Sequence, residues 1–163
     1  MSATPDLLNA LSAELLSRNL KLVTAESCTG GFINNIISSI PGSSKFYNGG
    51  VVAYSNNLKE KLLKIEKDKI NKYGAISSEV GIAMAENIAI ITNSSIGVST
   101  TGYAGPMGGD SSNINGSVYV SIKFLDKVYS KKYIFTPNRD THRLITTYTA
   151  LNLLRLVLIG EIE

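Results

Sequence analysis

A serine, a lysine and a tyrosine carry the chemistry that this chain's residue types allow. Ser27 stands in Thr24–Gly31, T-A-E-S-C-T-G-G, after the short apolar run Leu20–Val23 and before the amphipathic run Phe32–Ile40. That order predicts a strand ending where a helix begins. Such a corner exposes unpaired backbone N–H groups and the positive end of a helix dipole, which suit an anion or an oxyanion beside a nucleophile. An unassisted serine is unreactive and needs a base. Lys59, expected in the first turns of a short helix, serves as one if its pKa falls by about 3 units, roughly 4 kcal/mol of differential solvation, which burial alone can supply. Tyr54, at the strand end before that helix, is placed to pass a proton or to fix the amine. A Ser–Tyr–Lys arrangement is chemically sensible, although spacing alone does not single it out.

Other readings of the same residues stay open. Ser27 and Thr29 also fit as caps of the second helix, Lys59 as a solvated helix lysine, and Tyr54 as an amphipathic core edge. Cys28 is a rival nucleophile at a helix N-terminus, but beside a cleft-facing Ser27 it should face away and pack. The sole histidine, His142, makes a Ser–His–Asp triad conceivable but reads better as a surface residue at a helix start. Gly102–Gly109, G-Y-A-G-P-M-G-G, is either a turn or a loop that lets backbone approach a phosphate or sugar. It is neither a Walker loop nor a G-x-G-x-x-G fingerprint. Arg143 is either solvated or a bidentate phosphate ligand.

The elements that must position these residues follow from periodicity and punctuation. Thr4-Pro5-Asp6 opens a first helix whose apolar face is Leu7, Leu8, Leu11, Leu15 and Leu16, ending near Asn19. A strand over Lys21–Ala25 and a helix over Gly31–Ser39 follow. Phe46–Tyr54, with Val51, Val52 and Ala53, predicts a buried strand. Ser55-Asn56-Asn57 caps a short helix with Leu58, Leu62 and Leu63. Ser77-Ser78-Glu79 caps a long one with Val80, Ile82, Ala83, Met84, Ile88, Ala89 and Ile91 inward. Ser95–Thr101 predicts a strand, and Gly102–Gly116 a loop long enough to be functional or mobile. Gly116–Leu125 alternates as a half-buried strand that Asp126-Lys127 turns into a partner, Val128–Phe135. A last helix starts after Pro137-Asn138 and runs to about Ile159 with Leu144, Tyr148, Leu151 and Val157 inward. The order predicts one α/β domain over residues 1–163: a three-layer α/β/α sandwich around a mixed, mostly parallel sheet of about five strands, the hairpin supplying antiparallel pairing. Glu26–Gly31, Tyr54–Lys59 and Thr101–Gly109 then converge beyond the carboxyl ends of the strands, where open α/β sheets bind ligands.

Composition removes several function classes. The chain has 163 residues, 44% hydrophobic and 18% charged, an ordinary globular balance. Its charge of +3 is spread without a Lys/Arg block, which argues against nucleic acid and suits a small anionic ligand. One cysteine forbids an internal disulfide, and with one histidine it makes a closed zinc site improbable. No signal peptide is evident and no apolar run has membrane-spanning length, so a cytoplasmic domain with no membrane partner is expected.

Five segments together resemble the CinA C-terminal family, whose characterised members are nicotinamide-nucleotide amidohydrolases. They are T-A-E-S-C-T-G-G (24–31), P-G-S-S-K-F-Y-N-G-G-V-V-A-Y-S-N-N-L-K (41–59), G-A-I-S-S-E-V (74–80), T-G-Y-A-G-P-M-G-G (101–109) and, more loosely, R-D-T-H-R (139–143). The resemblance implies hydrolysis of the carboxamide of nicotinamide mononucleotide (NMN) to the acid and ammonia, without metal or other cofactor. It implies Ser27 as nucleophile, Lys59 as base and Tyr54 as its partner. Substrate contacts are expected from Glu26, Cys28, Thr29, Gly30, Gly31, Thr101, Gly102, Gly105, Gly108 and Arg143. It also implies a five-stranded mixed sheet, a homodimer, and a stand-alone form without the large N-terminal domain of full-length relatives. The chain departs from the family's usual pattern at Tyr103, at Asn113-Ile114-Asn115-Gly116-Ser117-Val118 and at Ile145, which bears on substrate fit and rate. A catalytically silent nucleotide-binding protein and an amidase for another anionic amide are the competing readings.

Overall fold

The computed structural model describes residues 3–162. Among the described residues, six α-helices and five strands follow one another as α1 (Ala3–Ser17), β1 (Leu22–Glu26), α2 (Phe32–Ser38), β2 (Tyr47–Val52), α3 (Asn56–Leu63), α4 (Lys67–Tyr73), α5 (Ser78–Ile91), β3 (Ile96–Gly102), β4 (Ser117–Phe124), β5 (Lys127–Ile134) and α6 (Arg139–Leu158). The expected caps are in place at three helices: Ser55, Ser77 and Asn138 accept from the N–H groups of Leu58, Val80 and Thr141. The side chain of Thr4, the expected first cap, lies outside the described residues.

The strands form one sheet in the order β2-β1-β3-β4-β5. β1 pairs in parallel with β2 and β3, whereas β4 runs antiparallel to both β3 and β5. Four strands therefore point one way and β4 alone opposes them. The sheet is mostly parallel in strand direction, while its pairings divide evenly between the two kinds. A consequence for the site follows at once. β1, β2, β3 and β5 all finish at the same edge, so the β1–α2, β2–α3 and β5–α6 junctions and the loop before β4 meet there.

Alternation along each strand sends side chains into two cores. Leu22, Ile96, Val98, Val120 and Ile122 pack with Leu11 and Leu15 of α1, Ile33 and Ile37 of α2, and Leu151 and Leu154 of α6. Val23 and Ala25 face the other way, onto Leu63, Ile70, Val80, Met84 and Ile88 from α3, α4 and α5. This is the expected α/β/α sandwich.

The differences have local causes. β2 is an edge strand with alternating exposure, not a buried run, because nothing pairs beyond it and Val52 is left open. β4 lies inside the sheet with α5 across its second face, so Ser121 is fully buried and bonds Ser130 instead of facing water. α4 was not expected. Its seven residues bury only Ile70, which leaves no periodic pattern to read. Leu16, Ile91 and Leu144, expected inward, are exposed. Leu144 lines an open groove with Leu7 and Tyr148.

α5 seats against β3 through Gly97, where an added Cβ would collide with the Ala85 carbonyl and crowd the Ala89 side chain. Gly97→Ala is therefore expected to destabilise the fold by about 3 kcal/mol, since the helix must lift from two neighbouring strands to make room. Chemical unfolding of the variant measures this. A loss within experimental error would show that α5 is not seated by this contact.

Candidate active site

The turn after β1 is built around a buried carboxylate. Gly30 and Gly31 take left-handed φ of 59° and 96°, which reverse the chain and open α2. Glu26, fully buried at the strand's end, then accepts hydrogen bonds from the N–H groups of Gly31 (2.9 Å), Ile33 (3.2 Å) and Asn34 (2.8 Å). The positive end of α2 is thus already occupied by the chain's own anion. Glu26 and Gly31 are structural here, and the expectation that this helix end receives substrate is corrected.

Ser27 follows immediately and continues the ladder, its N–H donating to Thr100 O at 2.9 Å. From the β2–α3 junction comes Lys59, one turn past the Ser55 cap and only 2% exposed. Its Nζ lies 3.0 Å from Ser27 Oγ and 2.9 Å from Ala53 O. Burial pulls the Lys59 ammonium down from its ordinary 10.5 to about 8, with a small opposing pull from Cys28. The pair can share a proton near neutrality. Cys28 packs with Ala104 and Val118, and burial pushes its thiol up to about 12, which removes it as a nucleophile.

Ser27 and Lys59 line a cleft of about 250 Å³ whose walls include Cys28, Tyr54, Thr101, Gly102 and Gly105. The sequence did not single out Asn56, Ile76, Met107 or Arg139, which also line it. Among the described residues that line this cleft there are two basic side chains, Lys59 and Arg139, and no carboxylate.

The other expected ligands serve the scaffold. Thr29 is fully buried and its hydroxyl pairs with that of Thr100 at 2.8 Å. Gly30 and Gly108 are not on the cleft wall. Gly30 accommodates the Arg143 guanidinium, and Gly108 lies against the Tyr103 ring. Arg143 stacks 4.1 Å over Phe32 and donates from Nε and Nη2 to Thr29 O, so it braces the serine turn and does not face the cleft. The cation at the cleft is Arg139, whose Nη2 donates to the Tyr54 hydroxyl (2.7 Å) and Nη1 to Gly105 O (3.3 Å). Tyr54 consequently faces Arg139 and makes no hydrogen bond to Lys59. Thr101 reaches the wall but spends its hydroxyl on Ala75 O.

His142 is neither a surface residue nor a triad member. It is fully buried, with Nε2 3.0 Å from Gly116 O, Nδ1 3.4 Å from Thr146 Oγ1 and its ring edge-on to Phe135. Burial lowers its pKa, in keeping with a neutral ring that donates to Gly116 O.

The lysine's burial has a pH signature. Folded Lys59 titrates near 8 and unfolded lysine near 10.5, so the charged buried amine costs about 3 kcal/mol below pH 8. The folded state sheds the proton first, so that cost lifts as pH rises from 8 towards 10.5. Lys59→Met is expected to stabilise the protein by about 1–3 kcal/mol at pH 7, and by clearly less at pH 10. Urea midpoints at the two pH values check this. An equal gain at both would mean that the amine is uncharged throughout.

The model of the CinA C-terminal domain matches residues 5–158. The chain is 39% identical over 153 residues to a CinA-like protein of Amoebophilus asiaticus, covering 91% of this chain and 37% of that one. It is 42% identical over 156 residues to a CinA-like protein of Prochlorococcus marinus, covering 94% and 37%. It therefore spans little more than a third of the length of these curated relatives. Among solved structures, a competence-damaged protein (CinA) superfamily protein from Escherichia coli superposes with a TM-score of 0.90 at 30% identity, over 94% of this chain and 90% of that one. Fold, site segments and sequence agree, and the chain belongs to the CinA C-terminal domain family.

Proposed function

We propose that this protein is an amidohydrolase that cleaves the carboxamide of nicotinamide mononucleotide to nicotinate mononucleotide and ammonia. The observation that carries the reading is the 3.0 Å contact between Lys59 Nζ and Ser27 Oγ inside a cleft lined by Lys59 and Arg139 and by no carboxylate. Neutral Lys59 takes the Ser27 proton as Oγ attacks the carboxamide carbon. In the turn beyond Ser27, the Gly30 N–H is spent on Ser27 O and the Gly31 N–H on Glu26. The Cys28 N–H, on the cleft wall and without a backbone acceptor among the described residues, is left to stabilise the tetrahedral oxyanion. The Lys59 ammonium then passes its proton to the amide nitrogen, the C–N bond breaks and ammonia leaves. Water, deprotonated by the same amine, cleaves the acyl-serine and restores both groups.

Arg139 supplies what the family resemblance assigned to Arg143. It stands on the first residue of α6, across the cleft mouth from Tyr54, and binds the substrate phosphate bidentately once it exchanges its Tyr54 and Gly105 partners. Tyr54 orients that guanidinium, and any help it gives Lys59 is indirect.

A coupled ammonia assay with NMN tests the reading. Ser27→Ala and Lys59→Met are each expected to lower kcat by at least about 10³-fold with the fold intact, and wild-type kcat/KM should rise with pH through about 8 as Lys59 loses its proton. Near-normal turnover in either variant would remove the assigned role. Arg139→Gln is expected to raise KM for NMN by about tenfold or more and to leave kcat/KM for free nicotinamide, assayed alongside, unaltered, because only the former has a phosphate to lose. An equal change with both amides would place Arg139 outside phosphate binding.

A further inference from the structure

We infer that Tyr103 is a specificity-determining residue whose ring receives the planar aromatic part of the substrate. This rests on the amidase reading of the same cleft and adds which wall selects the ring. Four side chains supply the larger apolar surfaces of the cleft: Tyr54, Tyr103, Ile76 and Met107. Tyr54 is 56% exposed and its hydroxyl accepts from Arg139 at the mouth, whereas the other three come from two segments distant in sequence, the entry to α5 and the glycine loop after β3.

A chain of hydrogen bonds fixes Tyr103 and Ile76 relative to each other. The Tyr103 hydroxyl donates to Asp110 Oδ2 at 3.0 Å. Asp110 Oδ1 accepts from the N–H groups of Ser112 and Asn113, both at 2.8 Å. Asn113, 3% exposed, carries the link across the cleft wall by donating from Nδ2 to Ile76 O at 2.9 Å. The backbone of Tyr103 is held as well, its N–H on Ser117 O and its carbonyl accepting from Gly116 N. The ring also packs on Gly108, where any Cβ would press on Cδ1 at 2.7 Å.

The half-buried ring is therefore pinned at hydroxyl, backbone and one flank before any ligand arrives. A platform ordered in advance binds a flat ring without an ordering cost, and aromatic contacts favour planar partners over aliphatic ones of equal area. Asp110 and Asn113 are positioning residues that act through Tyr103. Met107, 87% exposed in the same loop, adds an apolar lip to the slot.

Binding to the Ser27→Ala protein, measured by calorimetry, separates this inference from hydrolysis. Three probes are used: nicotinate mononucleotide (ring and phosphate), ribose 5-phosphate (phosphate only) and benzamide (ring only). Tyr103→Ala is expected to weaken the two ring-bearing probes by about tenfold and leave ribose 5-phosphate unchanged. Tyr103→Phe keeps the ring and should hold both within about threefold, and Asp110→Asn should fall between the two variants. Equal weakening of all three probes, or no weakening of the ring-bearing pair, overturns the inference. Should benzamide bind in a Tyr103-dependent way while neither phosphate probe binds, the ring slot stands and the nucleotide reading fails.

Discussion

An amine held almost wholly out of water, with one neighbour that needs a base, is the constraint on which the rest of this molecule depends. Lys59 reaches Ser27 only because Ser55 starts α3 within a few residues of the end of β2 and because Ala53 O offers a second acceptor. Desolvation makes the ammonium costly, and the same desolvation makes the free amine available near neutral pH. Stability and reactivity are here opposite faces of one burial. The surrounding fold tolerates the cost because the two cores on either side of the sheet are continuous and well filled.

The second organising element is the buried Glu26. Its carboxylate closes the positive end of α2 and rigidifies the turn that presents Ser27. Arg143 presses on the same turn from α6 through Thr29 O and Phe32. Two charged residues that look like ligands in a linear reading thus form a clamp from opposite sides. The cleft is left with Lys59 and Arg139 as its basic side chains, with Ser27 and Lys59 both buried at its floor.

The glycine loop after β3 does a different task from a phosphate-binding loop. Its carbonyls and side chains are largely bonded to each other and to α6 and the α5 entry: Gly105 O to Arg139, Pro106 O to Asn115, Asn113 to Ile76. Such a loop shapes a wall. It presents Tyr103 and Met107 to the cleft, and the guanidinium at the mouth is that of Arg139, held on Tyr54.

Taken alone, the sequence determined the kinds and order of elements, the α/β/α layering and the candidates Ser27 and Lys59, because periodicity, caps and a strand-to-helix corner are local properties written within a few residues. α4 escaped for the same reason, having only Ile70 to announce it. What tertiary structure alone decided is which charges face the cleft. Arg139 and Arg143 are one helical turn apart on α6, and Glu26 and Ser27 are adjacent, yet in each pair one member holds the scaffold and the other lines the cavity. That division depends on β5 running parallel to β1, which brings the start of α6 to the serine turn, and on which polar group finds a backbone partner first. His142 obeys the same rule: its burial against Gly116 O and Phe135 is set by the β4–β5–α6 packing, and no local pattern records it.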